Sequence, residues 1–132
     1  MSSLNIAIAG ATGRIGKRLV VLANGKNIAT PRIEQRIADH PDVAQCVVLG
    51  ARRPFLVAVV VATGVDARPR VQQHVQALNR ELPAAERIGR VLFADAPFSV
   101  GNGQLGTQFK PRRSRIESDY RDSLDQIYGA YA

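Results

Sequence analysis

A length of 132 residues suits one compact domain, large enough for a core of its own but small for a two-substrate site with its own cofactor fold. The composition, 45% hydrophobic and 22% charged, argues against disorder and against a coiled coil. The longest apolar run, Phe55 to Thr63, is one strand long and far short of the ~20 residues that a membrane span needs. A formal charge of +7 points to an anionic partner. Aromatics make up only 5% and no basic stripe is interleaved with stacking rings, so nucleic acid is not the expected one.

Taken in chain order, Leu4 to Ala9 alternates as a strand does and runs into Gly10-Ala11-Thr12-Gly13-Arg14-Ile15-Gly16, a glycine-rich turn. Leu19 to Ala23 is a second short apolar element, and the hairpin-type dipeptide Asn24-Gly25 follows. Thr30-Pro31 signals a helix start, with Thr as N-cap and Pro at the first helical position. The helix is expected from about Pro31 to Asp39, with Ile33 and Ile37 on its buried face. His40-Pro41 ends it, because the residue before proline is pushed out of the helical region.

Val43 to Gly50 and Phe55 to Thr63 are β-branched runs separated by Ala51-Arg52-Arg53-Pro54, which predicts an antiparallel pair. A second helix opens at Asp66 to Pro69 and carries Val71, Val75 and Leu78 as one apolar stripe. Arg90 to Ala94 reads as a strand, Ala96 to Thr107 as a loop, and Arg112 to Tyr131 as one or two helices with Ile116, Tyr120, Leu124 and Ile127 on one face. This order defines an α+β domain, a small antiparallel or mixed sheet flanked by helices.

Cys46 stands alone in an apolar run, where a free thiol behaves as a small core residue. With no basic-then-apolar leader at Met1 to Asn5, a reducing cytoplasm is the expected home. His40 and His74 stand at no metal-ligand spacing with Cys or a carboxylate, so no metal site is expected.

Two motifs compete for the function. Gly10, Gly13 and Gly16 after a predicted strand form the kind of turn that brings a helix N-terminus to a pyrophosphate, as in a dinucleotide-binding reductase. A Rossmann unit then needs a crossover helix, a parallel strand and an acidic residue about 20 positions on. The sequence offers Leu19-Val20-Val21-Leu22, Asn24-Gly25 and an antiparallel pair instead.

The second motif set is longer. Gly25-Lys26-Asn27-Ile28-Ala29-Thr30-Pro31-Arg32-Ile33-Glu34, the strands from His40 to Gly50 and from Arg53 to Val60, and the ending from Asn102 to Tyr128 follow one another in unbroken order. Together they resemble the C-terminal (lid) domain of AMP-forming long-chain fatty acyl-CoA synthetases, over about Lys17 to Tyr128. Residues 1–16 fall outside the family pattern, which leaves 17–132 as the domain. The segment departs from the family at Gly106-Thr107-Gln108, where Thr-Pro-Thr is usual, and at Pro111, directly after Lys110.

The resemblance implies a ligase that converts ATP, fatty acid and coenzyme A to acyl-CoA, AMP and pyrophosphate. A large N-terminal adenylation domain binds ATP and the acid, and the small domain rotates between two half-reactions. It implies that Lys110 is the catalytic loop lysine of adenylation, that Lys17 or Arg18 is the hinge, and that Asn24, Gly25, Lys26 and Asn27 line the coenzyme A tunnel. By itself the chain is then incomplete and holds neither ATP/AMP nor coenzyme A tightly. It works with an adenylation domain in cis or in trans. One alternative is a non-catalytic module whose basic surface binds an acyl carrier protein or a ligase partner; the other is a reductase-like dinucleotide binder.

Overall fold

The run Leu56-Val57-Ala58-Val59-Val60-Val61-Ala62 is apolar at every position, which suits a strand covered on both faces rather than on one. In the computed structural model, which describes residues 19–131, this run is the central strand β4. The described elements are β1 (Leu19–Val21), β2 (Asn27–Ala29), α1 (Thr30–Ala38), β3 (Val43–Leu49), β4 (Leu56–Ala62), α2 (Ala67–Glu81), a 3-10 turn (Ala84–Glu86), β5 (Ile88–Phe93), α3 (Arg113–Asp119) and α4 (Arg121–Tyr131). Leu4 to Ala9 and Gly10 to Gly16 lie outside the described residues.

β3 and β4 form the expected antiparallel pair, with Cys46 opposite Val60. β5 joins the other side of β4 in parallel, Val91 opposite Ala58, so the order is β3-β4-β5. A parallel neighbour requires a crossover, and α2 supplies it. Side-chain alternation along β4 then divides the molecule into two layers. Leu56, Ala58 and Val60 face α1, α2 and the β1–β2 hairpin, with Ile33, Ile37, Val71, Val75 and Leu78. Val57, Val59 and Val61 face α3, α4 and the loop before them, with Phe98, Ile116, Leu124 and Tyr128.

A register shift between Val43 and Gln45 places Val43 in the first layer, while Gln45 turns to the second. A second shift lies between Leu56 and Val57 opposite β5. Gly89 sits there because a Cβ would come within 2.3 Å of the Phe55 ring.

Three local expectations are refined. Thr30 is the first helical residue rather than the N-cap: Ala29 still pairs with Leu19 and precedes the helix, and no side chain caps it. The Thr30 side chain is buried, and Oγ1 has no hydrogen-bond partner. β5 begins at Ile88 rather than Arg90, since the Asn79 amide bonds both backbone groups of Ile88, at 2.8 and 2.9 Å. The closing segment is two helices, parted at Tyr120.

Candidate functional site

Lys110 stands at the end of a tight turn. The Gly106 N–H donates to the Lys110 carbonyl at 2.8 Å, the Phe109 N–H donates to the Gly106 carbonyl at 2.9 Å, and Leu105 bridges Pro111. Phe109 at the tip has φ 60, a left-handed conformation that few non-glycine residues adopt, and its ring is 73% exposed. Lys110 beside it is exposed. Among the described residues no carboxylate forms an ion pair with it.

Both local and distant side chains hold the flanks of this turn in place. The Gln45 amide brackets Phe98, accepting from its N–H at 2.8 Å and donating to its carbonyl at 3.1 Å, while the Phe98 ring is buried against α3 and α4. Asn102 Oδ1 accepts from the N–H groups of Ser99 and Gln104, and Nδ2 donates to the Pro97 carbonyl. Buried Gln104 donates through Nε2 to Asp119 Oδ2 at 2.8 Å, and its carbonyl accepts the Arg112 N–H at 2.8 Å. The Gln104 hydrogen bond, followed by Arg115, holds the Asp119 carboxyl below its usual range. Gln45, Asn102, Gln104 and Asp119 are site-building residues that motif reading missed. Only Asn102, in a loop of Gly, Pro and Asn, carries a local signal.

The second expected site is the tip of the β1–β2 hairpin. Gly25 takes φ 86, its N–H donates to the Leu22 carbonyl, and the Leu22 N–H donates to the Lys26 carbonyl, both at 2.9 Å. Asn24 Oδ1 accepts the Lys26 N–H at 3.0 Å. Asn24, Gly25, Lys26 and Asn27 are all exposed. The hairpin docks on the β3–β4 turn through Arg52 N–H to the Val21 carbonyl and Ala23 N–H to the Arg53 carbonyl. Arg53 in turn pairs with Asp125 at 2.9 Å and lies over the Tyr128 ring.

Asn24 and Lys26 line a groove of about 490 Å³ with Pro54, Phe55, Ala84 and Arg87. Across Phe55 and Arg87 it continues into a second hollow of about 430 Å³ beside Arg90, Ile127 and Ala130. The lining combines Leu22, Pro54, Phe55 and Ile127 with Lys26, Arg87 and Arg90 and includes no carboxylate. Leu22 and Ile28 of the hairpin pack in the α1–α2 layer, whereas Phe98 of the Lys110 loop packs in the α3–α4 layer. The two candidate turns thus root in different layers of the core, although the groove beside the hairpin crosses to α4 at Ile127 and Ala130. The candidate hinge, Lys17 or Arg18, lies outside the described residues.

His40 and His74, far apart in sequence, meet with ring centroids 5.0 Å apart. One ring nitrogen of each is engaged: His40 Nδ1 accepts the Asp42 N–H, and His74 Nε2 bonds the Arg36 carbonyl. No group of three or more metal-binding side chains occurs among the described residues. Cys46 is half-buried against the α1–α2 layer, and burial, with Glu34 nearby, pushes its thiol far up, which suits packing and not nucleophilic chemistry. No helix among the described residues is long and apolar enough to cross a membrane.

This mixed sheet with helices on both faces matches the C-terminal domains of the adenylate-forming enzymes. The chain belongs to the AMP-binding enzyme C-terminal domain family, whose model matches residues 17–132. It is 28% identical to a chloroplastic long-chain fatty acid–acyl-carrier-protein ligase of Arabidopsis thaliana, over 85% of this chain and 17% of that protein. It is 25% identical to a long-chain fatty acid–CoA ligase of Mycobacterium tuberculosis, over 89% of this chain and 23% of that one. It therefore spans about a fifth of these relatives. Among solved structures it superposes on the adenylation domain of a carboxylate reductase from Mycobacterium chelonae with TM-score 0.73 and 27% identity, over 86% of this chain and 20% of that one. The corresponding Segniliparus rugosus domain, in complex with AMP and a co-purified carboxylic acid, gives TM-score 0.74 at 26% identity, over 88% of this chain and 20% of that one.

Proposed function

We propose that this chain is the mobile C-terminal domain of an AMP-forming fatty acid ligase and works against a large adenylation domain that binds ATP and the acid. Lys110 serves adenylation, and the Asn24–Asn27 hairpin serves thioester formation with coenzyme A. The observation that carries this reading is the separation of the two turns, the hairpin rooted in the α1–α2 layer and the Lys110 loop in the α3–α4 layer, since a domain that works in two orientations needs two separate working surfaces. The long-chain substrates in the names of the relatives support a fatty acid as the substrate class.

The physical role of Lys110 follows from its exposure. In water, an ammonium 4 Å from a phosphate oxygen gains only about 1 kcal/mol; at an effective dielectric near 20 it gains roughly four times as much. Closure of this face on a large domain excludes water and so turns a solvated surface charge into stabilisation of the negative charge gathering on the acyl-phosphate. The phosphates of ATP and AMP lie on the large domain in this reading. The chain's own contribution is one cation held at the end of a braced turn.

A test joins the full chain to the large domain of the M. tuberculosis ligase, in place of that enzyme's own C-terminal part. Formation of acyl-CoA from hexadecanoate, ATP and coenzyme A well above the large domain alone is the expected result. No gain over the large domain alone contradicts the reading.

The groove favours a second partner for the same hairpin face. Its three cations without a carboxylate complement an acidic carrier protein, which would present its thiol there in place of coenzyme A. Such binding should weaken steeply between 50 and 200 mM salt, estimates set by a Debye length of roughly 10 Å near 0.1 M.

A further inference from the structure

Three residues beyond Lys110, the chain enters α3 at Arg113, which reaches across the molecule to α1. Arg113 Nη2 donates to Glu34 Oε1 at 2.6 Å, and Nη1 donates to the Val48 carbonyl at 3.0 Å. Glu34 Oε2 accepts the Val48 N–H at 2.7 Å. The two side chains therefore occupy both outward backbone groups of one residue on the edge strand β3, as a neighbouring strand would. With side chains 20% and 12% exposed, Arg113 and Glu34 form the least exposed ion pair among the described residues.

We propose that Glu34 and Arg113 are positioning residues for Lys110. The clamp fixes the C-terminal root of the lysine turn to β3 and to α1, the helix that follows directly on the Asn24–Asn27 hairpin. The other root is fixed by Gln45 on the same strand. A turn pinned at both roots to one strand keeps its lysine at one angle to the sheet while the domain moves as a body, which saves the ordering entropy at the moment of closure. The inference rests on the reading of Lys110 as the adenylation lysine.

Replacing Arg113 by Lys keeps the charge and loses the planar two-pronged contact; Glu34→Gln keeps an acceptor for the Val48 N–H and loses the charge. In the full chain, either change should speed hydrogen exchange at the Gly106, Phe109 and Arg112 amides about tenfold, the size of a local opening made easier by ~1.4 kcal/mol. The Leu22 and Gly25 amides of the hairpin should be unmoved. In the joined protein, Arg113→Lys should slow acyl-adenylate formation but cost nothing further when Lys110 is already Ala, because a positioning residue acts only through the group it positions. Unchanged exchange at the turn overturns the proposal, and so does an Arg113→Lys loss that persists in full in the Lys110→Ala background. If Lys110→Ala itself has no effect, the functional reading has failed, and the exchange arm decides the clamp alone.

Discussion

The hairpin tip and the lysine turn are both exposed reversals of the chain, yet they are built by opposite means. The hairpin is specified within its own residues: Gly25 supplies the positive φ, and Asn24 bonds the Lys26 amide two positions away. The lysine turn takes its place from side chains 15 to 79 residues distant in sequence, namely Gln45 on β3, Asp119 on α3 and Glu34 on α1. A locally built turn keeps its shape when the surroundings change. One built from afar reports on the packing of the layer beneath it, which suits the role proposed for Lys110.

The sharpest way to break this difference is Gln45→Ala. It leaves the Phe98 N–H and carbonyl without their partners and should cost about 2 to 3 kcal/mol, read by urea denaturation, with faster exchange in the lysine turn and not in the hairpin. Gly25→Ala tests the other side. Nothing lies within 4 Å of the added Cβ, so the cost is purely the left-handed backbone, about 1 kcal/mol, and is confined to the hairpin amides. Asn24→Ala removes one exposed hydrogen bond and should cost roughly 0.5 kcal/mol.

The smallest effect is one of pH. Asp119 is held below its ordinary value of 3.8, so the carboxylate favours the folded turn above that value and the contribution is lost as pH falls through the depressed one. Acidification through this depressed range should therefore raise exchange at Gln104 and Arg112, where the protonated Asp119 no longer holds Gln104, and leave Leu22 in the hairpin unmoved. Simultaneous loosening of both turns would erase the distinction.

The same contrast explains what was legible in the sequence. Asn24-Gly25, the unbroken apolar run of β4 and the Val71-Val75-Leu78 stripe carry their structure locally, and the α+β order of elements follows from them. Gln45 reads as an ordinary polar position on a strand, and nothing local reveals the register shift that aims it at Phe98. The Glu34–Arg113 clamp spans 79 positions and is equally invisible to spacing. Thr30-Pro31 marks the helix start to within one residue, but pairing of Ala29 with Leu19 carries the strand to the edge of the helix, and Thr30 is buried instead of capping.

The central claim is that the two faces serve different half-reactions, and Lys110→Ala in the joined protein tests it most directly. The account predicts that pyrophosphate exchange dependent on hexadecanoate falls by about 100-fold or more, the size of one lost transition-state contact. Thioester formation from preformed acyl-adenylate should then stay within about threefold of the parent, since the removed group acts in the other step. An unchanged exchange rate, or an equal fall in both half-reactions, would contradict it.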